Sequence, residues 1–83
     1  MDTKTEILFM QARLLRLAAK KWRVSIAQAN AVFSAHKVWS FITEGYPALH
    51  TEGDEAVFEE ISVFLKRKRQ MAAHLADGML LYR

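Results

Sequence analysis

The sequence predicts an all-α protein, a compact bundle of four to five short helices. Three observations carry that prediction. Apolar residues recur at three- and four-residue steps in each long segment. No segment keeps the period of two that a half-buried strand requires. Only 3 Gly and 1 Pro occur, and most of them fall together at Gly45, Pro47 and Gly53, between periodic segments.

The first helix is expected from about Thr3 to Lys21. Thr3 and Glu6 have the spacing of a capping box. Ile7, Met10, Leu14, Leu15, Ala18 and Trp22 then share one face. After a short Trp22-Arg23-Val24 turn, Ser25 is a good N-cap with Gln28 as its reciprocal partner. The second helix follows from Ile26 to Ala35, with Ile26, Ala29, Val32 and Phe33 on its apolar face. A third, from Lys37 to Glu44, carries Val38, Trp39, Phe41 and Ile42. Gly45 is expected to end it in the left-handed conformation that side chains avoid. Tyr46 to His50 then forms a tight connector, at most one helical turn. The last helix begins near Gly53-Asp54, capped by Thr51 or Asp54, with Glu52, Asp54 and Glu55 at its positive end. Val57, Phe58, Ile61, Phe64 and Leu65 form its inner face. It stops at the basic run Lys66 to Arg69, or continues as helix through Met71, Leu75 and Met79; Gly78 is an expected stop.

A chain of 83 residues makes one domain, residues 1–83, with a small core. Its hydrophobic fraction of 52% exceeds what so small a core can bury, so apolar surface is left for a partner or a second copy. The chain has no Cys, which removes disulfides and thiolate metal sites and fits a reducing compartment. No apolar run approaches membrane-spanning length. The mixed charges of Met1 to Glu6 do not resemble a signal peptide, so a cytoplasmic location is the expectation. The net charge of +3 is only mildly basic.

Catalytic and metal chemistry find no support. His36, His50 and His74 lack ligand spacing, Glu59 and Glu60 point in different directions, and no phosphate loop or nucleophile motif occurs. No cofactor is expected. Residues 17–29 have the look of a helix–turn–helix, which makes DNA binding, as in an autorepressor, the alternative reading. Its candidate contacts are the stripe Arg13, Arg16, Lys20 and Arg23 with Gln28 and Asn30. The second helix is otherwise small and neutral, and a solvated basic face explains the stripe as well.

The segment Tyr46-Pro47-Ala48-Leu49-His50-Thr51-Glu52-Gly53 is unusual for a connector. Its favoured reading is structural. Tyr46 and Leu49 plug the gap between the third and fourth helices, and His50 hydrogen-bonds backbone across the turn. Thr51 caps the next helix, and Gly53 supplies a positive φ or a close approach.

Together with Val24-Ser25, Phe41-Ile42 and the later Val57, Ile61 and Phe64, the Tyr-x-x-Leu-His-Thr-x-Gly signature resembles a small, uncharacterised bacterial family. That family is often found beside ADP-ribosyltransferase-like proteins. The resemblance covers about residues 6–65 and leaves 66–83 as a C-terminal helical extension. It implies a non-enzymatic companion, an antitoxin-like or accessory partner of a transferase-type toxin. Arg67, Arg69, Met71, Leu75, Met79 and Leu80 are then the candidate partner contacts, since Met-rich helical faces adapt to partners. The same apolar residues suit packing on the chain's own core equally well. The functional expectation is a non-catalytic protein–protein interaction module, with a structural oligomerisation domain as a further alternative.

Overall fold

A computed structural model of the chain describes the backbone of residues 2–81 and the side chains of residues 2–69. It is an all-α bundle of four helices, α1 (Thr3–Trp22), α2 (Ile26–Ala35), α3 (Val38–Leu49) and α4 (Asp54–Leu81). No strand occurs among the described residues. The 28 residues of α4 span about 42 Å at 1.5 Å per residue. They set the longest dimension of a molecule measuring 54 × 27 × 19 Å.

Each helix buries the face its periodicity marks. Met10, Leu14 and Ala18 come from α1, Ala29 and Phe33 from α2, Val38 and Ile42 from α3, and Val57, Phe58 and Ile61 from α4. Phe33 lies at the centre with no exposed surface. Trp22 meets it edge-on at 6.0 Å and Trp39 at 5.0 Å. Such edge-to-face pairs add to the area term because a ring's positive edge meets a negative face. Ile26 departs from expectation. It sits in the first turn of α2 and is 51% exposed, outside the core.

The α1 start differs from the Thr3–Glu6 box. Asp2 is the N-cap, its Oδ1 accepting from the Thr5 amide at 2.8 Å. Asp is the stronger cap, and Glu6 is engaged elsewhere, by Tyr46. The Ser25–Gln28 box forms as expected. The Gln28 amide donates to Ser25 Oγ at 3.0 Å and the Ser25 amide to Gln28 Oε1 at 2.9 Å. α1 ends in a Schellman-type turn, the Val24 amide reaching Ala19 O and the Arg23 amide Lys20 O. Arg23 takes the left-handed position usually given to glycine, at φ 56°. Lys37 does the same ahead of α3, at φ 58°.

Gly45 does not end α3. The helix runs through Gly45 and Pro47 to Leu49, and no glycine has a positive φ among the described residues. The reason is Leu49, which is buried at 3% exposure and can enter the core only if the helix makes another turn. Gly45 assists by being small, since a Cβ there would lie 3.0 Å from Leu49 Cδ1. Pro47 removes one amide near the helix end, and the cost of that loss is set against Leu49 burial.

The last turn of α3 closes with the Thr51 hydroxyl donating to Ala48 O at 2.8 Å, so Thr51 serves the helix before it and does not cap α4. α4 then starts at Asp54, with the Val57 amide on Gly53 O at 3.1 Å. Two ion pairs bind α1 to this start: Arg13 Nε to Asp54 Oδ2 at 3.1 Å, and Lys21 Nζ to Glu55 Oε2 at 3.0 Å. α4 stops neither at Arg69 nor at Gly78 but continues as helix to Leu81. No described helix is long and apolar enough to cross a membrane.

Candidate protein-interaction surfaces

The Tyr46–Gly53 segment is built into the end of α3. The Tyr46 hydroxyl donates to Glu6 Oε2 at 2.8 Å, which ties α3 to the first turns of α1, away from the α3–α4 gap. That acceptor raises the Tyr46 pKa, because losing the phenolic proton would place two negative oxygens together. His50 stacks on Tyr46 with ring centres 5.0 Å apart, and its Nδ1 lies 2.9 Å from Tyr46 O. Leu49 fills the core. Gly53 uses neither property expected of it. Its φ is not positive, and nothing lies within 4 Å of the Cβ it lacks. Four of the signature residues, Tyr46, Leu49, His50 and Thr51, thus meet at one helix end and hold it.

The basic stripe of α1 is broken up by the fold. Arg13 is engaged by Asp54, and Arg23 leaves the helical register in its left-handed turn. Arg16, Lys20 and Arg23 are exposed. On α2, Gln28 lends its Oε1 to its own cap while Asn30 is exposed.

The run Lys66 to Arg69 lies in mid-helix, so the negative end of α4 does not explain it. Its four cations differ. Lys68 Nζ donates to His36 O, at the end of α2, at 2.8 Å, and sits 4.8 Å from the centre of the Phe64 ring. It completes a ladder in which Phe64 stacks on Phe41 at 4.5 Å. Lys66, Arg67 and Arg69 are exposed. The candidate contacts Met71, Leu75, Met79 and Leu80 have side chains outside the described residues.

Among the described residues, Val24 and Ile26 are exposed at the start of α2, and two further apolar surfaces, which sequence reasoning overlooked, lie on α1 and α4. On the outer side of α1, Leu8 is 62% and Phe9 52% exposed. Both fall off the Met10–Leu14–Ala18 face, and plotting every apolar residue of α1 by angle would have isolated them. The second surface is an open groove of about 760 Å³ along α4. Phe41, Ala56, Val63 and Phe64 form its apolar lining, with Glu55, Glu59, Glu60 and Arg67 around it. A smaller hollow of about 340 Å³ lies on the other side of Glu55, Glu59 and Val63, which line both. Glu60 has its pKa raised, chiefly because its protonated carboxyl can hydrogen-bond to the neighbouring Glu52, with the repulsion between the two acids adding to this.

The family model described as "Protein of unknown function (DUF3791)" matches residues 9–68, and the chain belongs to that family. The match ends at Lys68, so the last turns of α4 lie beyond it. No curated protein and no solved structure matches the chain.

Proposed function

We propose that this chain is a non-catalytic binding module whose partner is a protein. The observation that carries this reading is the pair Leu8 and Phe9, two large apolar side chains left more than half exposed on the outer side of α1, about 100° apart around its axis. Burying what is still exposed of these side chains, a little over half of each, against a partner gains about 1–2 kcal/mol each. Arg16 and Lys20 lie further along α1 on its exposed side, so the face pairs apolar anchors with positive charge. A partner with an acidic rim around an apolar cleft fits it, and the charge would speed association. The resemblance described above directs the choice of partner to a transferase-type toxin, with the helical face or the C-terminal stretch of α4 covering its cleft sterically.

Co-expression with an ADP-ribosyltransferase-like protein tests the reading. The two should co-purify, and the chain should relieve any growth arrest the enzyme causes. Substituting Leu8→Glu with Phe9→Glu should abolish both effects while leaving the helical signal and the unfolding transition intact, because neither residue is in the core. Co-purification unaffected by that pair would refute the surface. The alternative, duplex-DNA binding, draws on exposed Arg16, Lys20 and Arg23 beside α2. A gel shift that weakens steeply with salt would favour it instead.

A further inference from the structure

The outward face of α4 carries a charge pattern that is the same read in either direction with the sign reversed. Val63 lies at its centre, 49% exposed. Four residues before it stands Glu59 and four after it Arg67; three before it stands Glu60 and three after it Lys66. All four charged residues are exposed, and among the described residues none is in an ion pair. Residues three and four apart share a helix face, so Glu59, Glu60, Val63, Lys66 and Arg67 form one patch.

The shape matches the charge. Glu55, Glu59 and Val63, at four-residue steps, form a ridge flanked by the two hollows. A ridge with a groove beside it is what one helix offers another. The larger groove is lined by Phe41, Ala56 and Phe64, apolar surface that water is the only alternative to covering. Asp54 and Glu55 are already met by Arg13 and Lys21 of α1, whereas Glu52, Glu59 and Glu60 beside them are in no ion pair among the described residues. The occupant should therefore bring cations, and the chain's own Lys66 and Arg67 stand at the required spacing.

We propose that the chain forms a homodimer by antiparallel, two-fold pairing of α4 with α4 of a second copy, centred on Val63. A two-fold axis makes the contact self-complementary. Glu59 of each copy faces Lys66 of the other, and Glu60 faces Arg67, because positions seven apart lie on the same flank of the helix and the two-fold axis brings like flanks together. The paired residues are offset by about 1.5 Å along the helix axis, within reach of these long side chains. A parallel pairing would set acid against acid and base against base, so the pattern selects the antiparallel one. The proposal does not depend on the enzyme partner, because it uses neither Leu8 and Phe9 of α1 nor the C-terminal stretch of α4 beyond Arg67.

The test is light scattering on the purified full chain over a dilution series up to about 100 µM. The wild type should dimerise, and the dimer should weaken as salt is raised. The double substitutions E59K/E60K and K66E/R67E should each weaken self-association at least tenfold, since each sets like charges against each other. Mixing the two variants should restore a heterodimer, and the quadruple charge swap should restore a homodimer. A monomeric wild type at the highest concentration overturns the proposal, as does a dimer that both double substitutions leave unchanged. Circular dichroism confirms that the variants fold. Because the chain has no Cys, Val63→Cys reports geometry independently. Near a two-fold axis it should oxidise readily to a covalent dimer, and Ser34→Cys, exposed on α2, should not. Equal cross-linking at both sites would also overturn the arrangement.

Discussion

Replacing Lys68 with Met separates one cation from three neighbours that look identical in the sequence. Met keeps most of the aliphatic stem and its packing along Phe64 while removing the charge and the three N–H donors. Two interactions are lost. The first is the 2.8 Å hydrogen bond to His36 O, the carbonyl at the end of α2. A charged donor to a neutral acceptor is worth about 1.5–3 kcal/mol when well shielded, and less at an exposed site such as this one. The second is the contact with the Phe64 ring at 4.8 Å, worth about 0.5–1 kcal/mol in a partly exposed setting. The two share one ammonium group and do not add fully. A net loss of about 1.5 kcal/mol is expected, which for a domain of this size lowers Tm by roughly 6–12 °C. Urea unfolding followed by circular dichroism measures it, with Arg69→Met as the control, since Arg69 is exposed and lies off the Val63 face of α4. Arg69→Met should change stability by less than about 0.5 kcal/mol. Equal costs at the two positions, or no measurable cost at Lys68, would refute the claim that Lys68 fastens mid-α4 to the end of α2.

Three further outcomes follow from the packing and the electrostatics. Phe33→Ala empties the centre of the aromatic cluster and should cost about 3–5 kcal/mol. That is a large share of the roughly 4–12 kcal/mol a domain of this length holds, so near-ultraviolet dichroism and cooperative melting should be lost together. Arg23→Gly relieves a left-handed backbone at φ 56° and should raise stability by about 0.5–1 kcal/mol, read by the same denaturation. Glu60 binds its proton more tightly in the folded state because Glu52 is beside it. Its contribution is therefore fully present below the ordinary glutamate pKa and is lost as pH rises through the raised value. Glu60→Gln should thus gain on the wild type as pH rises above the ordinary glutamate range, and a difference that stays constant with pH would contradict the assignment.

Much of this fold was legible without coordinates, and the legible parts are local. The Ser25–Gln28 box, the bounds of α2 and the inner faces of all four helices depend on spacing along one segment. Each was read from residues within two turns of one another. The misreadings are of another kind. Gly45 and Pro47 look like a helix end, because locally they are one. They became helix interior because Leu49, four residues on from Gly45, is drawn into a core assembled from distant segments. Thr51 and Glu6 each had a sound local role, and each was taken by a different partner: Ala48 O for Thr51, and the Tyr46 hydroxyl for Glu6.

The candidate surfaces divide the same way. The sequence by itself determined that this is an all-α protein, that its apolar content exceeds its core, and that its charges fall in blocks. Those are properties of composition and periodicity. Tertiary structure alone decided which apolar residues were left outside and which charges were used up. Leu8, Phe9 and Val63 are exposed because α1 and α4 each turn only one face to their neighbours. Arg13 and Lys68 are engaged because Asp54 and the end of α2 arrive beside them in space, 41 and 32 residues away along the chain. Contact between such distant positions is fixed by how the helices pack, and no local spacing encodes it.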